Sequence, residues 1–148
     1  MILKRTSFRL RLCVALLIAN LLFIWGNSLL PGEISCAITQ WVKELLGIGA
    51  GDPEKGHGLL RKIAHFTEFA CLGFLLCWLH AMVQKPLWRS VLFGALAACM
   101  DETIQRFVPD RGPAIKDVLI DTAGVCVGVG ILCLYVIRKK RKLKEKVI

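Results

Sequence analysis

The sequence predicts an all-α, polytopic membrane protein with four transmembrane helices, a short interfacial amphipathic helix and both termini in the cytoplasm. Three observations predict it. A mean hydropathy of +0.58 with 55% hydrophobic residues is too apolar for a soluble domain of 148 residues. The apolar residues gather into runs close to the ~20 that cross a bilayer as a helix. Lys and Arg are shared unevenly between alternate connections, as expected for a chain that threads a membrane. One domain is expected over residues 1–148.

The first span is expected over residues 12–30. It follows MILKRTSFRLR with its four basic residues and ends at NSLLPG, where Pro31 and Gly32 stop it. The run is longer than a signal-peptide core and lacks a small-x-small cleavage pattern, so it is read as retained. Over residues 33–46, Ile34, Ile38, Trp41, Val42 and Leu45 recur at helical spacing. That segment is too short and polar to span, and predicts a helix in the interface with Trp41 at headgroup depth. GIGAGDPEKGHG reads as a flexible link holding a solvated His57.

The second span is expected over residues 59–82, with Arg61, Lys62, His65 and Glu68 in its first turns and an apolar remainder. After the turn VQKP, the third occupies residues 87–105 and emerges as DETIQ. Pro109, Gly112 and Pro113 break the chain, and the fourth span covers residues 114–137. A basic tail at residues 138–148 serves as a topology signal.

Threading these spans puts 13 of the 20 Lys and Arg residues on one side, the side of both termini. The excess makes that side cytoplasmic. The net charge of +9 therefore points to anionic headgroups as the partner. Nucleic acid is not expected, since no basic stripe interleaved with aromatics is present. Cys36 alone of the seven cysteines lies outside an apolar segment, and no CxxC occurs. The cysteines in the spans are read as core-packing residues.

This topology brings the polar start of the second span, the polar end of the third and the polar start of the fourth to one depth at the outer surface. Lys62, His65 and Glu68 step by three and drift across about 120 degrees of one helix face. Asp101, Glu102 and Gln105 share a face of the third span. Asp117 and Asp121 align with Gly124 and Gly128, whose small-xxx-small spacing admits a close helix neighbour. Ionisable residues in membrane helices point to function. His65, Glu68, Asp101 and Glu102 are therefore the candidate catalytic, proton-transferring residues. Lys62, Gln105, Arg111, Asp117 and Asp121 are the candidate substrate-binding residues, with Arg111 suited to clamping phosphate or carboxylate. The alternative is that these charges neutralise one another and fix the packing. With one histidine in the cluster, neither a metal site nor a cofactor is expected.

In KIAHFTEFACLGFLL, DETIQRFVPDRG and KDVLIDTAGVCVG the chain resembles the VanZ-like family of membrane proteins, over roughly residues 59–130. The family pattern falls on Lys62, His65, Glu68, Asp101, Glu102, Gln105, Pro109, Arg111, Asp117, Asp121, Gly124 and Gly128. Two positions depart from it: Ile104 stands where many relatives have histidine, and Asp110 where their loop often has glycine. The resemblance implies a bacterial cytoplasmic-membrane protein, associated in some members with lowered susceptibility to glycopeptides such as teicoplanin. It implies no defined reaction. Three functions fit: binding or modifying an anionic, lipid-linked envelope substrate; non-catalytic recognition of a glycopeptide or envelope partner; and proton-coupled transport. The expected partners are membrane lipids and such an envelope intermediate or glycopeptide.

Overall fold

The computed structural model describes residues 2–45, 47, 53–112 and 114–145, with side chains described at 7–45, 47, 58–112 and 114–142. Five helices follow in chain order: α1 (Ile2–Ser28), α2 (Gly32–Leu45), α3 (Pro53–Met82), α4 (Trp88–Gln105) and α5 (Ile115–Glu145). No strand occurs among the described residues. The five expected helices are therefore all present, with different ends.

Two ends differ for physical reasons. Pro53–Gly58 is helical instead of part of a loop, because proline at the first helical position gives up only an N–H that has no partner there anyway. Residues 48–52 of the expected link and the His57 side chain lie outside the described residues. At the other end of the chain α5 runs through the basic tail to Glu145, since Lys, Arg and Leu are good helix formers. Between α3 and α4 the chain turns at Gln84 (φ 54°), and the Lys85 N–H reaches back to the His80 carbonyl at 2.8 Å. That bond satisfies a carbonyl which the end of α3 would otherwise leave open.

Among the described residues, three helices are long and apolar enough to cross a membrane: Ser7–Ser28, Gly58–Met82 and Ile115–Lys142. At 18 residues α4 is shorter, and it carries Arg89, Asp101 and Glu102. Large apolar side chains are exposed all around the bundle, among them Phe8, Leu22, Phe23, Leu96, Leu119 and Ile131. Their number exceeds the scattered exposure usual in water. α2 presents Ile34, Ile38, Trp41 and Leu45 outward and buries Gly32 and Ser35. Among the described residues its apolar stripe has no partner.

α3 is the central element, packed on α1, α4 and α5. The core around it holds Cys13, Leu17, Ile24, Phe69, Leu72, Ala98 and Val125. Glycines set the α3–α5 distance. A Cβ on Gly124 or Gly128 would overlap the Phe66 or Ala70 carbonyl, and one on Gly73 would overlap Val125. The expected small-xxx-small contact thus forms, with Gly73 as an unforeseen reciprocal. The cysteines correct the expectation of core packing: Cys13 and Cys77 are buried, whereas Cys71, Cys99 and Cys126 are exposed on outward helix faces. Cysteine is small and apolar enough for either position.

Candidate functional site

The polar site lies at one end of the bundle, where α1 and α4 end, α5 begins and the first turns of α3 pass between them. Asp101 is at its centre and is fully buried. Its Oδ1 accepts the Ser28 hydroxyl at 2.6 Å, and its Oδ2 accepts Gln105 Nε2 at 2.8 Å. Gln105 Nε2 also donates to Ser28 Oγ at 3.2 Å, which closes a ring of three side chains. His65 Nδ1 stands 3.8 Å from Asp101 Oδ2, too far for a hydrogen bond but close enough for a charge on one to be felt by the other.

Around this centre, Asn27 Nδ2 donates to Glu68 Oε1 at 3.2 Å. Glu102 Oε2 accepts the Ala114 N–H at 2.8 Å, so its carboxylate caps the positive end of α5. Asp117 lies in the first turn of α5, and its Oδ1 is 3.7 Å from Lys62 Nζ. With both side chains partly exposed, this ion pair contributes little to stability. Asp121 is 1% exposed, and its Oδ2 has no hydrogen-bond partner. Glu68 Oε2 is likewise buried without a partner.

A narrow cleft opens over the cluster, lined by Arg61, Lys62, His65, Glu102, Gln105, Asp117, Ile120 and Asp121. Its interior measures about 10 Å³, room for a single water or ion. One helical turn below, an apolar groove of about 460 Å³ lies between α1, α3 and α4, lined by Trp25, Leu72, Ala97 and Met100 among others.

Arg111 belongs to the loop that joins α4 to α5. Its Nη1 donates to the Ser28 carbonyl at 3.4 Å, while its Nε is buried without a partner. Burial chiefly, and Arg61 beside it, lower its pKa from the ordinary guanidinium value; Asp101 and Glu102 oppose the shift. A guanidinium keeps its charge in such surroundings. The loop is held by the Gly32 N–H donating to the Pro109 carbonyl at 3.3 Å. A Cβ at Gly32 would come within 2.8 Å of the Asp110 carbonyl. Asp110 itself takes φ 58°, a left-handed conformation that aspartate tolerates and that explains glycine as the alternative there.

Lys62, His65, Glu102, Gln105, Asp117 and Asp121 therefore meet at the cleft. Asp101 is sealed behind it, and Glu68 and Arg111 stand at its sides. Sequence reasoning omitted Asn27, Ser28 and Arg61. The polar pair Asn-Ser closing an apolar run was the available signal for the first two. His80 is far from the cluster, stacked on Phe93 with its Nδ1 2.9 Å from Ser90 Oγ.

The sequence profile of the VanZ/LLP1 family matches residues 7–137, nearly the whole chain. The chain belongs to the VanZ/LLP1 family. Neither a curated protein nor a solved structure matches it. The match takes in α1, whose Asn27 and Ser28 supply donors to the polar centre, so the VanZ/LLP1 unit here includes the first helix as well as the three polar segments. With its three span-length apolar helices, this VanZ/LLP1 chain is a membrane protein.

Proposed function

We propose that this VanZ/LLP1 protein crosses the bacterial cytoplasmic membrane four times and binds or modifies an anionic, lipid-linked envelope substrate at an outward-facing polar site. The observation that carries the reading is the convergence of Lys62, His65, Glu102, Gln105, Asp117 and Asp121 on one cleft at one end of the bundle. Structural neutralisation needs ion pairs, not a shared opening. The groove beneath Asp101 supports an amphiphilic ligand, with its chain along Trp25 and Leu72 and its headgroup at the cleft. Arg111 keeps a buried Nε donor unused, as a residue reserved for an oxyanion would.

The four-span topology rests on the basic excess at both termini and on the length of α4. Its 18 residues reach about 27 Å, near the ~30 Å hydrocarbon thickness. α2 then lies in the outer interface with Ile34, Ile38 and Trp41 toward lipid. His65, Glu68, Asp101 and Glu102 supply the groups for proton transfer, and glycopeptide susceptibility is the phenotype to examine.

A second reading, a non-catalytic envelope accessory protein, is favoured by one observation: the Ser28–Asp101–Gln105 ring is fully bonded and the cleft interior admits no organic group. Mass spectrometry of envelope lipids from cells expressing the wild type, Asp101→Asn or His65→Ala at matched membrane levels separates the two. A lipid species gained or lost in the wild type alone is expected. Identical lipid profiles with a surviving effect on teicoplanin susceptibility would leave the accessory role, and a wild-type phenotype in both variants would reject the site.

A further inference from the structure

His65, Asp101 and Asp121 come from three helices, yet a ligating atom of each lies within 4.8 Å of the other two, and all three residues are buried. We propose that these residues hold one divalent first-row cation, zinc or manganese, at the floor of the cleft. One imidazole nitrogen with two carboxylate oxygens is a donor set that such ions accept, and with the ion bound proton transfer is left to Glu68 and Glu102.

Four features of the site point to a cation. Asp121 is 1% exposed; one of its carboxylate oxygens belongs to this cluster, and its Oδ2 is buried without a donor. A buried carboxylate oxygen with no partner costs free energy that a cation would recover. The cleft that His65 and Asp121 line, in front of Asp101, is also small: its interior of about 10 Å³ suits one ion and excludes an organic group. Asp101 is oriented by Ser28 and Gln105, each bond leaving a lone pair on its oxygen for another partner, an arrangement typical of metal-binding carboxylates.

The last feature is charge. Five carboxylates (Glu68, Asp101, Glu102, Asp117 and Asp121) and three cations (Arg61, Lys62 and Arg111) gather at this end of the bundle, with Glu102, Asp117, Asp121, Arg61 and Lys62 lining the cleft itself. Formally the cluster is two charges negative, the amount one divalent ion neutralises. An anionic headgroup would be repelled by the cluster alone, and with the ion in place Lys62, Arg61 and Arg111 are left to attract it. Binding at ~2.1 Å brings donor atoms to about 3–3.5 Å apart, so the 3.8 Å between His65 and Asp101 must close slightly.

The cation rests on this geometry; its use in holding an anionic headgroup rests on the function proposed above. The two are tested separately on the purified full chain in detergent. After dialysis against micromolar Zn²⁺ or Mn²⁺ and removal of free metal, elemental analysis is expected to find about one ion per chain. Asp121→Asn and His65→Gln should lose it, and Lys62→Ala should keep it. The wild-type melting temperature should fall on chelation and return with the metal, by mass action. This readout needs no variant to fold. No retained ion and no metal-dependent shift in the wild type would overturn the proposal, as would full occupancy in folded Asp121→Asn and His65→Gln chains. A polyisoprenyl phosphate that binds the metal-free chain as tightly as the loaded one would overturn the cation's use in holding the headgroup while leaving the anionic-substrate reading intact. One retained ion with no phosphate binding would uphold the metal site and remove that reading.

Discussion

Replacing Gly128 with alanine should destabilise the bundle, whereas the same change at Gly130 should not. At Gly128 the new Cβ would overlap the Ala70 carbonyl and stand 2.7 Å from the Phe74 nitrogen, both backbone atoms that cannot rotate away. α3 and α5 would have to part by on the order of 1 Å, a gap that forfeits a quarter to a half of each dispersion contact along the seam. Overpacking of this kind costs about 1–3 kcal/mol. At Gly130 a Cβ meets nothing within 4 Å, so alanine there contributes its helix-propensity gain of about 0.5–1 kcal/mol. The two variants should therefore differ by about 1.5–4 kcal/mol with opposite signs relative to the wild type. Titration with a denaturing detergent in mixed micelles, followed by tryptophan fluorescence, measures this. Equal midpoints for the two variants would refute the close α3–α5 seam.

Ser28→Ala removes the donor to Asp101 Oδ1, leaving a buried acceptor unpaired, and should cost about 1–3 kcal/mol in the same titration; an unchanged midpoint would detach α1 from the polar centre. Glu102→Ala should cost about 1 kcal/mol by uncapping α5, while Glu102→Gln, which keeps an acceptor for the Ala114 N–H, should lose less than half of that. Amide exchange at residues 115–118 localises the effect, and uniform exchange across both variants would contradict the cap. Cys36 is exposed on α2 and should react in intact cells with a membrane-impermeant thiol reagent; labelling that requires permeabilised cells would invert the topology.

Much of the site was legible because its residues break strong local patterns. Charges at Lys62, His65, Asp101, Glu102, Asp117 and Asp121 stand out in apolar helices, and helix order alone brings them to a common depth. Gly124 and Gly128 were legible by spacing, since four residues return to one face. Ser28 and Asn27 were not, because polar residues at the end of a span also serve as ordinary helix termini. Their role depends on the register of α1 against α3 and α4, which is set by packing of Cys13, Leu17 and Ile24 and leaves no trace in α1 alone. In the sequence Gly32 signals only a helix stop, and the closeness of the Asp110 loop to it is a tertiary fact. The early start of α3 escaped notice because glycine and proline in GDPEKGHG suggest a loop, although proline is well suited to a first helical turn.

The most direct test of the account is the affinity of the chain in lipid nanodiscs for a polyisoprenyl phosphate against the uncharged polyisoprenol, in the wild type and in Arg111→Lys. Arg111 offers a fork of donors that lysine cannot reproduce, and a charge-assisted hydrogen bond contributes about 1.5–3 kcal/mol, roughly 10-fold to 150-fold in affinity. The phosphate should bind at least about 10-fold more tightly than the alcohol, and Arg111→Lys should lose about 10-fold for the phosphate alone. Equal binding of the two lipids, or an Arg111→Lys chain that binds the phosphate as the wild type does, would contradict it.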